Sequence, residues 1–468
     1  MSIHNDACQA GDAMTELFAK TALMPDGWAR DVLVTVQDGR IASVATGAVA
    51  SANAPSLGVL LPAPVNLHSH MFQRAMAGLS EARGAGGQDS FWTWRDLMYR
   101  FLEALTPEDV EAIAAQVMVE MAEAGFAAVA EFHYLPHGPG GVPYDDLGEM
   151  AARIAAAAGA TGMGLTLLPV MYAQGGSDGR ALAGGQLRFG NDEAQFGRLW
   201  HAAAWHLAGS ASDTVLGIAP HSLRAVSPQG LNFAAQLAGD RPIHIHVAEQ
   251  VAEVEEILSH RGARPVDWLL ANQPVDARWC LIHATQMTPT ETDALARTGA
   301  VAGLCPITEA NLGDGIFDGV RYLAAGGRFG IGSDSNVRIS LTEELRALEY
   351  SQRLRDRGRA CVATAERSTG RVLYEGAVAG GAQAAGRAAG AIRVGDRADL
   401  VALDAGSLAL DGLKGDTILD AWIFASDDGL VRDVWSAGRH IVRDGRHVAR
   451  DAVAARFRKV IGRLRAAL

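Results

Sequence analysis

Lysine is nearly missing from this chain. Of its 41 basic residues only Lys20, Lys414 and Lys459 are lysine, and none lies between the first two. Positive charge is in deficit as well: 53 acidic residues leave a formal charge of −12, which gives no electrostatic footprint for nucleic acid or an anionic membrane. Cysteine is scarce. Cys8, Cys280, Cys305 and Cys361 are far apart and form no C-x-x-C pair, which suits reduced thiols better than a disulfide framework. No uninterrupted apolar run is long enough to span a bilayer. The N-terminal MSIHNDACQAGDAM lacks a basic region followed by an apolar core, so no secretory signal is read there. The expectation is a soluble cytoplasmic protein.

What is present is apolar material for a large core. Hydrophobic residues make up 49% of 468 and charged residues 20%, enough for a barrel with a smaller companion domain. Residues 1–13 are small and polar. From Leu17 to about Val59 the text reads as short strands, with a hairpin signal at Asp38-Gly39. Apolar runs then recur at 61–70, 127–134, 162–172, 215–222, 242–249, 277–285, 300–308 and 328–335. Helical stretches lie between them at 107–124, 145–159, 192–207, 228–238, 250–259 and 289–297, the first opened by Thr106-Pro107-Glu108. Eight apolar strands alternating with helices predict an α/β fold, a (β/α)8 TIM barrel over 63–391, although periodicity alone leaves a doubly wound open sheet in play. Residues 341–388 are again helical in pattern. From about 392 β character returns, with a turn at Asp444-Gly445. The two β-rich ends, 14–62 and 392–448, are expected to join in one small β-sandwich. A basic amphipathic helix over 449–468 closes the chain, and its net surroundings favour packing on the body over membrane binding.

The chemistry collects at strand ends. In LPAPVNLHSH the imidazoles of His68 and His70 are two positions apart, which on a strand places both on one face. His133, His221, His246, Glu249, His283, Glu309 and Asp334 close later runs, on the rim where a barrel gathers its catalytic groups. His68, His70, His246 and Asp334 form a nitrogen and oxygen donor set that suits one divalent metal, zinc before iron or manganese. No cysteine belongs to the set, which favours a catalytic over a structural site. A metal ion in such a site makes water acidic enough to act as a nucleophile near neutral pH. Glu249 is placed to shuttle protons, His283 to polarise a substrate or orient water, and Asp334 to accept a proton as well as ligate. Taken singly, each has an ordinary explanation: a surface H-x-H, a satisfied core histidine, a helix cap after Ser333. The ordered set does not.

With these residues on the page, the barrel resembles the amidohydrolase superfamily, and within it the formimidoylglutamate deiminases. The resemblance runs through NLHSHMFQRAMAGL, DSFWTWRDLMYR, AVAEFHY, HSLRAV, HIHVAEQ, WCLIHAT, TEANLGDGIF and GIGSDSNVRISLTEELR, and on to GDRADLVALD. It covers essentially everything after residue 14, with LPAPVNLHSH departing mildly from a glycine-containing LPG entry. Some superfamily members bridge two metals with a carboxylated lysine after the fourth strand. This chain offers His221 there, so the resemblance implies a mononuclear, deaminase-like centre.

The resemblance also implies a reaction: hydrolysis of N-formimino-L-glutamate to N-formyl-L-glutamate and ammonia. Such a dicarboxylate asks for arginine, whose planar fork pairs with carboxylates in bidentate fashion, and Arg95 in FWTWR and Arg224 in HSLR fill that role. Gln73, Tyr134 and His221 complete the implied substrate contacts, with Trp92 and Trp94 as pocket wall. The rival expectation is a mononuclear deaminase of a heterocyclic amine, which wants aromatic stacking and few carboxylate partners. A homodimer is the expected assembly, the commonest for such enzymes.

Overall fold

A computed structural model describes residues 14–52, 54–81 and 91–466, and of 91–96 only the backbone. Its first departure from the sequence reading falls on the run 61–70. Proline has no N–H to give to a ladder, and Pro62 and Pro64 divide the run between two sheets. The strand Ser56–Pro62 belongs to the terminal sheet, while Val65–Ser69 (β1) opens the barrel.

The remaining barrel strands are Ala128–His133 (β2), Gly164–Met171 (β3), the broken pair Val215–Leu216 and Ala219–Pro220 (β4), and Ile243–Val247 (β5). Trp279–His283 (β6), Val301–Leu304 (β7) and Arg328–Ile331 (β8) complete it. Neighbours pair in parallel from β1 to β4 and from β5 to β8. Parallel bridges Ile218–Ile243 and Ser222–His246 join the two arcs, and Ser69–Asp334 closes the ring. The expected (β/α)8 barrel is therefore present. At the closing seam the His70 N–H donates to the Asp334 carbonyl at 2.9 Å, and the Asp334 N–H donates to the His68 carbonyl at 2.9 Å. Closure itself fixes three of the proposed ligands.

Helices on the outside follow local rules. Thr106 caps Pro107–Glu123 through a reciprocal box: its hydroxyl accepts from the Asp109 N–H and its own N–H donates to the Asp109 carboxylate. Thr288 opens Pro289–Ala296 with the same reciprocal box, through Glu291, and Ser227 opens Pro228–Ala238 with its hydroxyl alone, accepting from the Gly230 N–H; each helix has proline in its first turn. The run read as a strand over 300–308 ends at Leu304; Pro306 starts a short helix, Pro306–Leu312, which carries Glu309. Several further helices carry no strong sequence signal, among them Phe91–Leu102, Pro265–Asn272 and Asp416–Ala425.

Strands from both chain ends form one β-rich body. Thr15–Met24 pairs in parallel with Ser56–Pro62, and Ser56–Pro62 pairs antiparallel with Leu400–Leu403, in a path of eight strands. The path curls on itself: the Ala398 N–H donates to the Gly39 carbonyl and the Gly438 N–H to the Ala398 carbonyl. Between its folded halves lies a separate apolar core that includes Val34, Leu60, Leu400 and Trp435. Both hairpin turns read from sequence are there. Asp38-Gly39 and Asp444-Gly445 take positive φ at both residues, the conformation that a two-residue turn between twisted strands requires.

A buried ion cluster couples this body to the barrel. The Arg387 guanidinium bonds Asp213 at 2.8 Å and Asp399 at 2.5 Å, and Arg439 bonds Asp213 at 2.7 Å. The final helix Arg450–Ala466 buries Val453, Ile461 and Leu464, and pairs Arg456 with Glu111 on Pro107–Glu123. Among the described residues no helix is long and apolar enough to cross a membrane.

Candidate active site

All four proposed ligands meet at the C-terminal mouth of the barrel. Ligand atoms of His68, His70, His246 and Asp334 lie within 4.8 Å of one another, and all four residues are buried. Nε2 of His68 and of His70 stand 3.3 and 3.2 Å from the same Asp334 oxygen. Nε2 of His246 stands 3.1 Å from Nε2 of His68.

The outer ring nitrogens reveal which way two of these imidazoles are protonated. Nδ1 of His70 lies 3.0 Å from the Phe132 carbonyl, and Nδ1 of His246 lies 3.1 Å from the His221 carbonyl. A carbonyl only accepts, so each Nδ1 carries the proton and each Nε2 offers a lone pair to the centre. Burial depresses all three histidines, His68 to about 3, which keeps them neutral. Burial alone would raise the Asp334 carboxyl, but the hydrogen bond with His68 and the pull of the surrounding histidines prevail and hold it below the usual carboxylate range. A cation satisfies all four converging atoms at once. The residues fit a bound divalent metal.

Asp334 is not a helix cap. It sits at φ 44°, and a small polar frame locks it there. Asn66 donates to the Ser333 hydroxyl at 2.7 Å, that hydroxyl donates to Asn336 at 2.6 Å, and Asn336 donates back to the Asp334 carbonyl at 3.0 Å. His283, Ala284, Ala248 and Asn336 also take positive φ on this rim. Left-handed backbone at residues other than glycine is costly and gathers where side chains must be aimed.

Beside the ligands stands a proton-handling group. Nε2 of His283 is 3.7 Å from Glu249 and 4.0 Å from Asp334, while its Nδ1 is 3.3 Å from Glu309. Burial would strip the imidazole of its proton, but Glu249, Glu309 and Asp334 outweigh it and hold His283 as the cation. Burial pushes the Glu249 carboxyl up to about 7, where it can both take and return a proton. Glu309 also accepts from the Cys305 N–H at 2.9 Å, so its carboxylate orients His283 and the chain around it.

The cavity over these groups is walled by Gln73, Tyr134, His221 and Arg224 together with His283 and Glu249. Gln73 donates to the Tyr134 hydroxyl at 2.7 Å. Nδ1 of His221 bonds Ser222 at 3.1 Å, and the His221 ring lies edge-on to Tyr172. Arg224 is buried among Glu253, Tyr172 and Glu249; burial opposes its charge, but these neighbours more than restore it. Nine of the eleven proposed residues thus line one cavity, and the tenth, His68, stands beside them with its Nε2 3.1 Å from that of His246. The eleventh, Arg95, lies outside the described side chains, as do Trp92 and Trp94. His133, also on the predicted rim, is buried away from the cavity walls.

Sequence reasoning gave no role to Tyr99, Tyr172, Glu253, Glu309 or Asp314. Tyr172 ends the third apolar run, and Glu309 and Asp314 both fall inside TEANLGDGIF, so position alone offered a signal for these three.

Residues 59–441 match the model of the amidohydrolase family. The chain belongs to that family. Residues 14–54 match a second model, the N-terminal domain of formimidoylglutamate deiminase HutF, which places the chain in that branch. The formimidoylglutamate deiminase of Pseudomonas aeruginosa is 50% identical over 456 residues, spanning 96% of this chain and all of that one. An amidohydrolase from Brucella melitensis of solved structure is 51% identical, with a TM-score of 0.93 over 96% of this chain and 99% of its own. A zinc-bound adenosine deaminase from Xanthomonas campestris superposes with a TM-score of 0.81 over 97% and 98%, at 21% identity, a likeness of fold alone.

Proposed function

We propose that this protein hydrolyses N-formimino-L-glutamate to N-formyl-L-glutamate and ammonia, a step of histidine degradation. The observation that carries the reading is the half-identity, over nearly the whole chain, to the Pseudomonas deiminase. The cavity supports it: a buried arginine stands on the same wall as a proton shuttle and a metal centre.

One zinc ion per chain, held by His68, His70, His246 and Asp334, supplies the Lewis acidity that such hydrolysis needs. Three imidazoles and one carboxylate with no thiolate are the donor chemistry that supports zinc. The chain's own residues do the rest. From the protonated amidine, Glu249 takes one proton from the attacking water and gives it to the terminal nitrogen of the formimidoyl group, which departs as ammonia, while the Asp334 carboxylate accepts the second water proton as the carbonyl forms. The His283 cation and the Asp334 carboxylate flank the reacting carbon and steady charge as it shifts. Arg224, with Arg95, pairs the two carboxylates of the substrate, and Gln73, Tyr134 and His221 fix its orientation. Free thiols at Cys280, Cys305 and Cys361 support a reducing, cytoplasmic setting.

Tyr99, Tyr134, Tyr172 and Phe189 give the cavity an aromatic wall, which favours a second reading as a deaminase of a heterocyclic amine. One experiment separates the two: ammonia release by zinc-loaded protein from N-formimino-L-glutamate, guanine and an adenosine derivative, with chelated protein as control. Metal-dependent release from the first substrate alone supports the proposal; release only from a heterocycle replaces it.

A further inference from the structure

Arg224 lies in a turn between Ser222, the residue bridged to His246, and the helix Pro228–Ala238. Outside strand and helix, the backbone groups of such a turn depend on partners from elsewhere. The Ala225 and Val226 N–H groups both donate to the Ser222 carbonyl at 3.1 Å. Gln174 donates to the Arg224 carbonyl at 3.3 Å, and the Ala173 and Gln174 N–H groups donate to the Ala225 carbonyl at 2.8 and 3.0 Å. The two flanking carbonyls share one nitrogen. Nη2 of Arg261 donates to the Leu223 carbonyl at 2.5 Å and to the Val226 carbonyl at 2.7 Å.

Arg261 ends the helix Val251–Arg261 and is not among the cavity walls. Its guanidinium lies over the Trp268 ring, 4.4 Å from the centroid. Burial makes its charge harder to keep, and among the described residues no carboxylate pairs with it. The two charge-assisted bonds to carbonyls and the indole face offset that cost. A cation spent in this way holds backbone, and the backbone it holds carries Arg224. The other end of the same helix reaches the proton shuttle. Glu253, in the first turn, is buried and accepts from the Glu249 N–H at 2.9 Å. One helix therefore grips the residue that moves the proton at its start and the turn that bears the arginine at its end.

We propose that Arg261 is a positioning residue that fixes where Arg224 presents its guanidinium, and so sets the spacing between the dicarboxylate clamp and the proton shuttle. Arg261 touches no substrate and acts through the turn. Arginine suits the task because the two N–H bonds of one planar nitrogen diverge in fixed directions, whereas a lysine ammonium is a mobile point charge. The inference rests on the hydrolysis of a dicarboxylate proposed above.

Variants of the full-length, zinc-loaded protein test it. R261M keeps an apolar stem against Trp268 and removes both donors. Its KM for N-formimino-L-glutamate is expected to rise roughly ten-fold, within the range of couplings between residues of one hydrogen-bonded unit. Its kcat should change far less, and its zinc content should stay at the wild-type level. R261K should fall between R261M and the wild type. Added to R224M, R261M should lower kcat/KM by less than about two-fold, because the group it positions is already gone. A residue that merely stabilised the fold would lower kcat, zinc content and KM performance together, and would do so with or without Arg224.

Glutarate, the bare dicarboxylate skeleton, supplies a readout without turnover: calorimetry should find it bound roughly ten-fold more weakly by R261M than by the wild type. Unchanged KM in R261M, a loss confined to kcat, or an equal loss in the R224M background would each overturn the assignment. Should R261M fail to fold, R261K carries the same comparisons. A wild type that releases no ammonia from N-formimino-L-glutamate ends the proposed reaction, and the glutarate comparison still decides the role of Arg261: weaker binding by the variant supports it, and equal binding overturns it. A wild type that binds no dicarboxylate overturns both.

Discussion

Nε2 of His68 and Nε2 of His246 face each other across 3.1 Å, and the His246 nitrogen has no proton to offer because its Nδ1–H is committed to the His221 carbonyl. With His70 held the same way by Phe132 and with Asp334 ionised, the mouth of the barrel presents a ring of electron pairs to one point. The site is built around a positive charge.

Removing one ligand should empty it. Asp334→Ala is expected to reduce bound metal from one per chain to a small fraction and to abolish turnover. Elemental analysis of desalted protein checks this, and a variant that keeps full metal and activity would remove Asp334 from the set.

The frame behind Asp334 should matter nearly as much. Asn336→Ala deletes the donor to the Asp334 carbonyl and to Ser69 and the partner of Ser333. Losses of about 10- to 100-fold in metal affinity follow when such supporting groups are removed. Competition against a chelator of known affinity measures the change.

Glu249→Gln should separate proton transfer from metal binding. The amide fills the same volume but cannot carry the proton, so kcat is expected to fall by roughly 10²- to 10⁴-fold while metal content stays at the wild-type level. Rapid turnover by this variant would assign the shuttle to another group.

Arg224→Met should act on binding. Truncating one partner of a buried charge pair costs about 2–5 kcal/mol, or roughly 30-fold and upward in affinity. The expected signature is a raised KM for the dicarboxylate with a smaller change in kcat. An unchanged KM would place the substrate carboxylates elsewhere.

The ion cluster between barrel and sheet makes a prediction about acid. Burial would raise the Asp213 carboxyl, but Arg439 and Arg387 overcome it and hold the group well below its ordinary value of 3.8. A depressed folded-state pKa contributes stability that is complete above the unfolded value and is lost as pH falls through the folded one. Arg387→Met should therefore cost about 3–5 kcal/mol in urea unfolding at neutral pH. The gap between variant and wild type should narrow as pH drops below about 4, and a gap independent of pH would contradict the assignment.

Much of the centre was legible in the sequence because its signals are local. An H-x-H on a strand, a histidine and glutamate three apart, and an aspartate at the last strand end need only the side-chain period of an extended chain. What escaped depends on pairing across distance. Asn66 and Ser333 are 267 positions apart and meet only because the barrel closes between them. The run 61–70 read as one strand since apolar character does not reveal that two sheets share it. Glu309 read as a strand end because a helix begins two residues after the strand, too soon for periodicity to register. Asp314 lies in the loop after that short helix, where no repeat exists to mark it.

The most direct test of the reaction is the identity of its products. Zinc-loaded protein should convert N-formimino-L-glutamate to N-formyl-L-glutamate and ammonia in equal amounts, followed by proton nuclear magnetic resonance of the formyl hydrogen and an ammonia assay on the same sample. Glutamate and formamide in their place would mean that the other carbon–nitrogen bond breaks, and would contradict the assignment of Glu249 as proton donor to the terminal nitrogen.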